Sequence, residues 1–209
     1  MSVLLLFSGG IDSTVLAHEA LNAGRLSLLM FARYGQPAAA KEARAVGLWR
    51  TKHAPSVKLW EPMLPIAAEA MQLGVGVPGP RVLPGRNLLL LSLAITRAAA
   101  DGIPEVWYGA QGGDLADYPD CRPDFVAAVN ELATPWGVAV KAPLIQLTKA
   151  EVIEQARRLG VELAKTWSCY EPQRGAPCGR CNACRARIGS LGARLGAPST
   201  LITNTKGNP

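Results

Sequence analysis

The chain has 209 residues, of which 49% are hydrophobic, 6% aromatic and 18% charged; that is enough for one ordinary domain with a small appendage, and it excludes wholesale disorder. Its longest apolar stretches, residues 88–91 and 93–95, fall far short of a membrane span, and no secretory leader is expected ahead of Ser8. The net charge of +6 is uneven: residues 1–168 hold 16 basic against 15 acidic side chains, whereas residues 169–209 hold six (Arg174, Arg180, Arg185, Arg187, Arg194, Lys206) against Glu171 alone, a basic lobe that faces either a polyanion or only water.

Residues 3–7 form a short apolar run that stops at Ser8-Gly9-Gly10 and predicts a buried strand feeding a tight turn. From Asp12, apolar residues at 15, 16, 20 and 21 keep helical spacing as far as Asn22-Ala23-Gly24. Residues 26–31 predict a second strand, 38–50 a helix with Ala43, Val46, Leu48 and Trp49 inward, and 57–60 a third strand. Prolines at 62, 65, 78, 80 and 84 mark residues 61–85 as a connection holding one short helix around 67–73. Residues 87–100 predict a helix that is apolar almost all round and therefore well buried. A fourth strand over 106–109 precedes the polar loop 110–122. Pro123 opens a helix over 125–132, residues 138–141 predict a fifth strand, and Thr148 with Glu151 predicts a capping box for a helix over 150–159 that Gly160 stops. Such alternation, without internal repeat, predicts an α/β fold: a doubly wound, five-stranded parallel sheet with helices on both faces.

The run Phe7-Ser8-Gly9-Gly10-Ile11-Asp12-Ser13-Thr14 lies between the first strand and the first helix, where such a sheet points a helix N-terminus at a ligand. Two glycines let backbone N–H groups turn toward an anion, and Ser8, Ser13 and Thr14 add hydroxyls on the same rim. Asp12 beside a phosphate calls for a bridging Mg2+ or a ribose. The run is neither a Gly-Lys-Ser/Thr phosphate loop nor a GxGxxG turn, and taken alone it also reads as a glycine turn with a Ser/Asp helix cap. Its Ser-Gly-Gly-x-Asp-Ser core resembles the PP-loop of the ATP pyrophosphatases, which implies cleavage of ATP between its α- and β-phosphates and transfer of AMP to a substrate oxygen.

Four of the five cysteines fall within sixteen positions, as Cys169-x8-Cys178-x2-Cys181-x2-Cys184. The odd count argues against a disulfide framework and for the reducing cytoplasm. Four thiolates on a Gly- and Pro-containing knuckle suit a tetrahedral Zn2+ with no open position, hence a structural site; an iron–sulfur cluster and a redox Cys-x-x-Cys pair are the rival readings. Arg180, Arg185 and Arg187 would offset the excess negative charge and keep the thiolates ionised.

Further stretches narrow the family. Pro84-Gly85-Arg86-Asn87, Gly109-Ala110-Gln111-Gly112-Gly113-Asp114, Tyr118-Pro119-Asp120-Cys121-Arg122-Pro123-Asp124-Phe125 and Thr166-Trp167-Ser168-Cys169-Tyr170, taken with the loop and the knuckle, closely resemble the 7-cyano-7-deazaguanine synthase family in the same order along the chain. The resemblance implies an adenine nucleotide alpha-hydrolase (HUP-like) domain over residues 1–165 and a zinc-binding knuckle and helix over 166–196; residues 197–209 read as a loosely ordered tail. It implies a cytoplasmic, homodimeric ligase that turns 7-carboxy-7-deazaguanine and ammonia into a nitrile with ATP, Mg2+ and structural Zn2+, through an adenylated carboxylate and an amide. In that picture residues 7–14 bind ATP, and Asp12, Ser13, Arg86 and Arg122 are the catalytic candidates. Arg86, Asn87, Asp114, Tyr118, Asp120 and Arg122 are the substrate candidates. A guanidinium at 86 or 122 would clamp phosphate or carboxylate, Asp114 or Asp120 would accept N–H bonds from the guanine-like edge, and Tyr118 would stack on its face. Each also has a plainer reading, Arg86 as a helix-start contact and Asp120 with Arg122 as a loop salt bridge. Cys121 reads as a small packed side chain, since adenylation needs no thiol, and His18 and His53 lie on no motif.

The chain departs from the family after the second strand. Where an acid, Tyr-Gly-Gln, a basic residue and His are usual, it has Arg33-Tyr34-Gly35-Gln36-Pro37-Ala38, and Gln111 stands where Asn or His is usual. That raises a second reading, a paralogue that stops at the amide or ligates the acid to another amine such as a protein terminus. A PP-loop RNA-modifying enzyme and a zinc-knuckle nucleic-acid adaptor are further readings suggested by the basic lobe. Neither nucleic acid nor a membrane is expected as a partner, and nitrogen is expected from free ammonia or a separate partner.

Overall fold

Alternation within the first strand sets up both faces of the sheet. β1 (Val3–Leu6) sends Val3 and Leu5, with Phe7 beyond them, into one core and Leu4 into the other, because successive side chains of an extended backbone point to opposite sides. The computed structural model describes residues 1–64, 83–114 and 118–192; the helix expected around 67–73 and the tail 197–209 lie outside the described residues. Four further strands complete the sheet: β2 (Leu26–Met30), β3 (Lys58–Trp60), β4 (Glu105–Trp107) and β5 (Ala139–Lys141). Their order is β3-β2-β1-β4-β5 and every pairing is parallel. Leu4 stands opposite both Leu28 and Val106.

The helices are α1 (Ile11–Asn22), α2 (Ala39–His53), α3 (Arg86–Ala100), α4 (Pro123–Ala133), α5 (Lys149–Arg158) and α6 (Asn182–Gly192). Val15 and Leu16 of α1, Val46 and Trp49 of α2, and Val152 and Ile153 of α5 close one core over Val3 and Leu5. Leu91, Ala94 and Ala98 of α3 and Val129 and Ala133 of α4 close the other over Leu4, Leu28, Val106 and Val140. Each buried Val, Leu or Ile among them contributes about 1.5–3 kcal/mol by leaving water. The capping box forms as expected: Glu151 N–H donates to Thr148 Oγ1 and Thr148 N–H to Glu151 Oε2.

Three expectations change. Leu48, expected inward on α2, is exposed, while Val46 and Trp49 of the same helix are buried. α3 is not buried all round, because a helix lying on a sheet buries one stripe; Leu88 and Leu89 are 43% and 41% exposed on its outer side. The basic C-terminal lobe is in part internal: the Arg187 guanidinium donates to Thr166 O, Thr166 Oγ1 and Ser168 Oγ at 3.3, 2.9 and 3.1 Å and to Leu163 O. It therefore ties α6 to the segment before the first knuckle cysteine instead of facing solvent. Gln173 and Ala176 exchange both backbone hydrogen bonds across Arg174 and Gly175, each with positive φ, the geometry of a tight hairpin turn. Among the described residues no helix is long and apolar enough to cross a membrane.

The strand order fixes where a ligand can go. The chain runs outward from β1 to β3, then crosses to β4 on the other side of β1, so the connections leaving β1 and β4 diverge at their carboxyl ends. That divergence opens a crevice at the top of the sheet.

Candidate active site

The loop after β1 is shaped by one glycine. Gly9 has φ +72°, and a Cβ there would lie 2.8 Å from Ala45 Cβ and 3.1 Å from Val46 N; only glycine fits the left-handed turn and the close approach of α2. Gly10 then caps α1, leaving the first-turn N–H groups pointed at the crevice. Ser8 Oγ accepts from Gly10 N–H at 3.3 Å and lies 3.3 Å from Ser13 Oγ, whose hydroxyl donates to Gly10 O at 3.2 Å. β4 ends tightly against this loop: a Cβ on Gly109 would come within 3.2 Å of Asp12 Cβ and 3.3 Å of Ser13 N.

Asp12 has a partner that the sequence did not announce. Lys149, first residue of α5, places its ammonium 2.6 and 2.7 Å from the two Asp12 carboxylate oxygens. The pair brings a cation to the mouth of the loop and neutralises an acid that would otherwise repel phosphate. The signal was present only as a lysine behind the Thr148 cap; a helix that starts at the carboxyl end of the sheet puts its first side chains at the crevice.

The crevice is a cavity of about 350 Å³. Ser8, Gly10, Asp12, Ser13 and Lys149 line it together with Tyr34, Gln36, Glu42, Arg86 and Tyr170. Burial works against the Arg86 charge, but Tyr34, Tyr170 and Asp120 around it outweigh that effect and hold its pKa above the usual arginine value. Burial pushes the Tyr34 phenol up. Arg86 is thus a half-buried cation beside the Tyr34 and Tyr170 hydroxyls, the arrangement that grips a carboxylate or phosphate.

Of the expected ATP-binding residues, Phe7, Ser8, Gly10, Ile11, Asp12 and Ser13 line the cavity, while Gly9 and Thr14 sit behind it and brace the loop. Of the expected substrate residues, Arg86, Asn87 and Tyr118 line it, together with Cys121, which is packed and 6% exposed. Asp120 and Arg122 do not line it. Asp120 Oδ2 accepts from Asn87 N–H at 3.3 Å at the start of α3 and lends its charge to Arg86 from behind; Arg122 occupies the exposed N-cap position of α4. Asp114 ends a single 3-10 turn, Gly112–Asp114. Arg33, the departure from the family pattern, points out of the cleft and pairs with Glu61 at 2.8 Å. The sequence reading missed Lys149 and Glu42 altogether and met Tyr34, Gln36 and Tyr170 only as letters in motifs.

The four knuckle sulfurs lie within 4.8 Å of one another, compatible with the edge of about 3.8 Å that four zinc–thiolate bonds would set. Backbone N–H groups point into the cluster: Cys178 N–H donates to Cys169 Sγ at 3.2 Å and Cys181 N–H to Cys178 Sγ at 3.4 Å. Burial disfavours the Cys178 thiolate, yet the N–H groups of Arg180 and Cys181 outweigh it and bring its pKa down to about 7. Cys169, Cys178, Cys181 and Cys184 therefore fit a closed four-sulfur metal site. A four-iron cube holds its cysteine sulfurs further apart, so the spacing suits a single ion better. The knuckle also touches the phosphate loop: Trp167 N–H donates to Gly9 O at 2.9 Å, and Lys41 of α2 stands 5.5 Å over the Trp167 ring.

Comparison with known proteins gives one consistent relationship. Residues 66–193 match the family model described as queuosine biosynthesis protein QueC. The chain is similar to the 7-cyano-7-deazaguanine synthases of Marinobacter nauticus (33% identical, covering 92% of this chain and 93% of that protein) and Magnetococcus marinus (36%, 95% of each). Among solved structures it shares its fold with the U34-tRNA thiolase NcsA from Methanococcus maripaludis with its [4Fe-4S] cluster, at a TM-score of 0.55 and 16% identity over 83% of this chain and 61% of that one. The NMN synthetase from Francisella tularensis gives a TM-score of 0.55 at 18% identity over 90% and 72%.

Proposed function

Because the chain belongs to the QueC family of queuosine biosynthesis enzymes, we propose that it converts 7-carboxy-7-deazaguanine and ammonia to 7-cyano-7-deazaguanine at the expense of ATP, through an acyl adenylate and an amide. The observation that carries this reading is one cleft lined by a phosphate-type loop, Lys149 and the half-buried Arg86 cation.

A carboxylate is a poor electrophile, and joining it to AMP supplies a good leaving group. The N–H groups at the start of α1, with Ser8 and Ser13, hold the pyrophosphate and stabilise its charge as it departs. Lys149 turns from Asp12 to a phosphate oxygen, and Asp12 is then free to hold Mg2+, which would shield the polyphosphate charge. Arg86 holds the substrate carboxylate bidentately, with one oxygen directed at the α-phosphorus. Ammonia attacks the anhydride carbon to give the amide. Adenylation of the amide oxygen followed by loss of AMP and of both N–H protons leaves the nitrile. Cys169, Cys178, Cys181 and Cys184 would hold Zn2+ away from these bonds, where it would supply structural bracing only; the Trp167 N–H to Gly9 O hydrogen bond joins the knuckle to the phosphate loop.

The replaced residues 33–38 favour a second reading, in which the same adenylate is captured by another amine or the reaction halts at the amide. Product masses after incubation with the deazapurine acid, ammonium, Mg2+ and ATP decide between them. Nitrile and AMP are expected. Amide alone, or AMP released only with another amine, would establish the second reading, and no AMP under any condition would refute both.

A further inference from the structure

Glu42 lines the cleft from α2. Its Oε2 accepts from Gln36 Nε2 at 3.0 Å, and Gln36 is itself locked, donating to Ala32 O at 3.0 Å and accepting from Tyr34 N–H at 2.9 Å. The other carboxylate oxygen accepts no hydrogen bond among the described residues. The main chain of Glu42 abuts the phosphate loop, its carbonyl oxygen 3.2 Å from where a Cβ on Gly9 would stand. Arg86 and Tyr34 are the charged and titratable groups that face it, and burial raises its carboxyl pKa against the pull of Gln36 and Arg86.

Asp12, the other carboxylate lining the cleft, has both oxygens on Lys149, whereas Glu42 faces the Arg86 charge and keeps one oxygen without a hydrogen bond among the described residues, where a cationic reactant would fit. Neither pyrophosphate departure nor the carboxylate clamp uses it. The remaining reactant is nitrogen, which at neutral pH arrives as ammonium, a cation that cannot attack until it loses a proton. Glu42 stands beside both the phosphate loop and Arg86, and so beside the acyl–phosphate bond, whereas the far ring edge of the substrate extends away from that bond. We propose that Glu42 is the catalytic residue that binds ammonium with its free oxygen and takes its proton before attack. In the step, one ammonium N–H bond breaks and its proton passes to the carboxylate and on to solvent. The nitrogen lone pair forms the N–C bond, the C–O bond to AMP breaks with AMP keeping the electron pair, and the excess proton on the new amide nitrogen is lost to solvent. The proposal rests on the acyl-adenylate reading given above.

Hydroxylamine tests it, because at neutral pH that nucleophile is already almost wholly unprotonated and needs no base before attack. In the full-length enzyme, Glu42→Gln keeps the shape and can still accept from Gln36. We expect kcat/KM for ammonium to fall by about 100-fold or more, to recover as pH rises and free ammonia replaces ammonium, and hydroxamate formation from hydroxylamine to stay within about threefold of wild type. Equal losses with both nucleophiles, a KM effect confined to the deazapurine acid, or no loss at all would each overturn the proposal. Absence of hydroxamate and AMP in the wild-type enzyme would instead bring down the acyl-adenylate reading, and this inference with it.

Discussion

Replacing Gly9 by alanine separates the two demands that the phosphate loop makes on its backbone. The first is conformational: an L-residue at φ +72° costs about 1–2 kcal/mol. The second is steric, since the new methyl would meet Ala45 Cβ at 2.8 Å, Val46 N at 3.1 Å and Glu42 O at 3.2 Å, and overpacking of this kind costs about 1–3 kcal/mol. Gly24 supplies the control, with φ +64° and nothing within 4 Å of its Cβ position. For a chain of this size 1 kcal/mol moves Tm by about 2–4 °C, so Gly24→Ala should lower Tm by about 2–8 °C and Gly9→Ala by about 4–20 °C. Only Gly9→Ala should also weaken ATP binding, because α2 and the loop must separate. Removing the opposing methyl should return part of the loss: Gly9→Ala should cost less in an Ala45→Gly background than in the wild type. Calorimetric melting and ATP titration of the five proteins, wild type included, read these effects. Equal Tm losses at positions 9 and 24, with ATP affinity unchanged at both, would refute the packing argument.

Lys149→Met leaves the Asp12 carboxylate facing phosphate unpaired and should weaken ATP binding, titrated without Mg2+, about 10–100-fold, the worth of one charge-assisted contact; Asp12→Asn in the same protein should recover part of it under that condition, and additive losses would show that the two side chains do not act as a pair. Stripping the metal with a chelator should lower Tm and, through the lost Trp167–Gly9 hydrogen bond, weaken ATP binding about fivefold; unchanged ATP affinity in a metal-free sample would disconnect knuckle and loop. His18 is 6% exposed, has no partner for Nε2 among the described residues and meets Trp49 and His53 edge-on; burial, then His53 and Lys52, lower its pKa. Unfolded chains therefore bind the extra proton first: stability is full above about pH 6.5 and is lost as pH falls through the lowered value. His18→Phe should flatten the fall of Tm with acid, and parallel Tm–pH profiles for the two proteins would exclude that residue as the cause.

Local pattern alone determined the sheet, the loop and the knuckle. Period-two alternation in residues 3–7, the glycine pair behind them, the Thr148–Glu151 cap and the cysteine spacing are each written within a few positions, and each forms as its local chemistry dictates. What the sequence could not decide was which side chains from distant segments share a cavity. Lys149 meets Asp12 across 137 positions, and Asp120, beside Arg122 in a motif that suggested substrate contact, turns instead to the start of α3. Arg187, one of the charges counted as a basic surface, is spent on carbonyl and hydroxyl groups beneath the knuckle. Charge and motif position are properties of the chain, but facing and burial arise only when strands β1 and β4 lie side by side and bring their loops to one crevice. There the low-dielectric surround, absent from any linear reading, decides whether an acid or a base stands ready for a reactant or merely holds a helix in place.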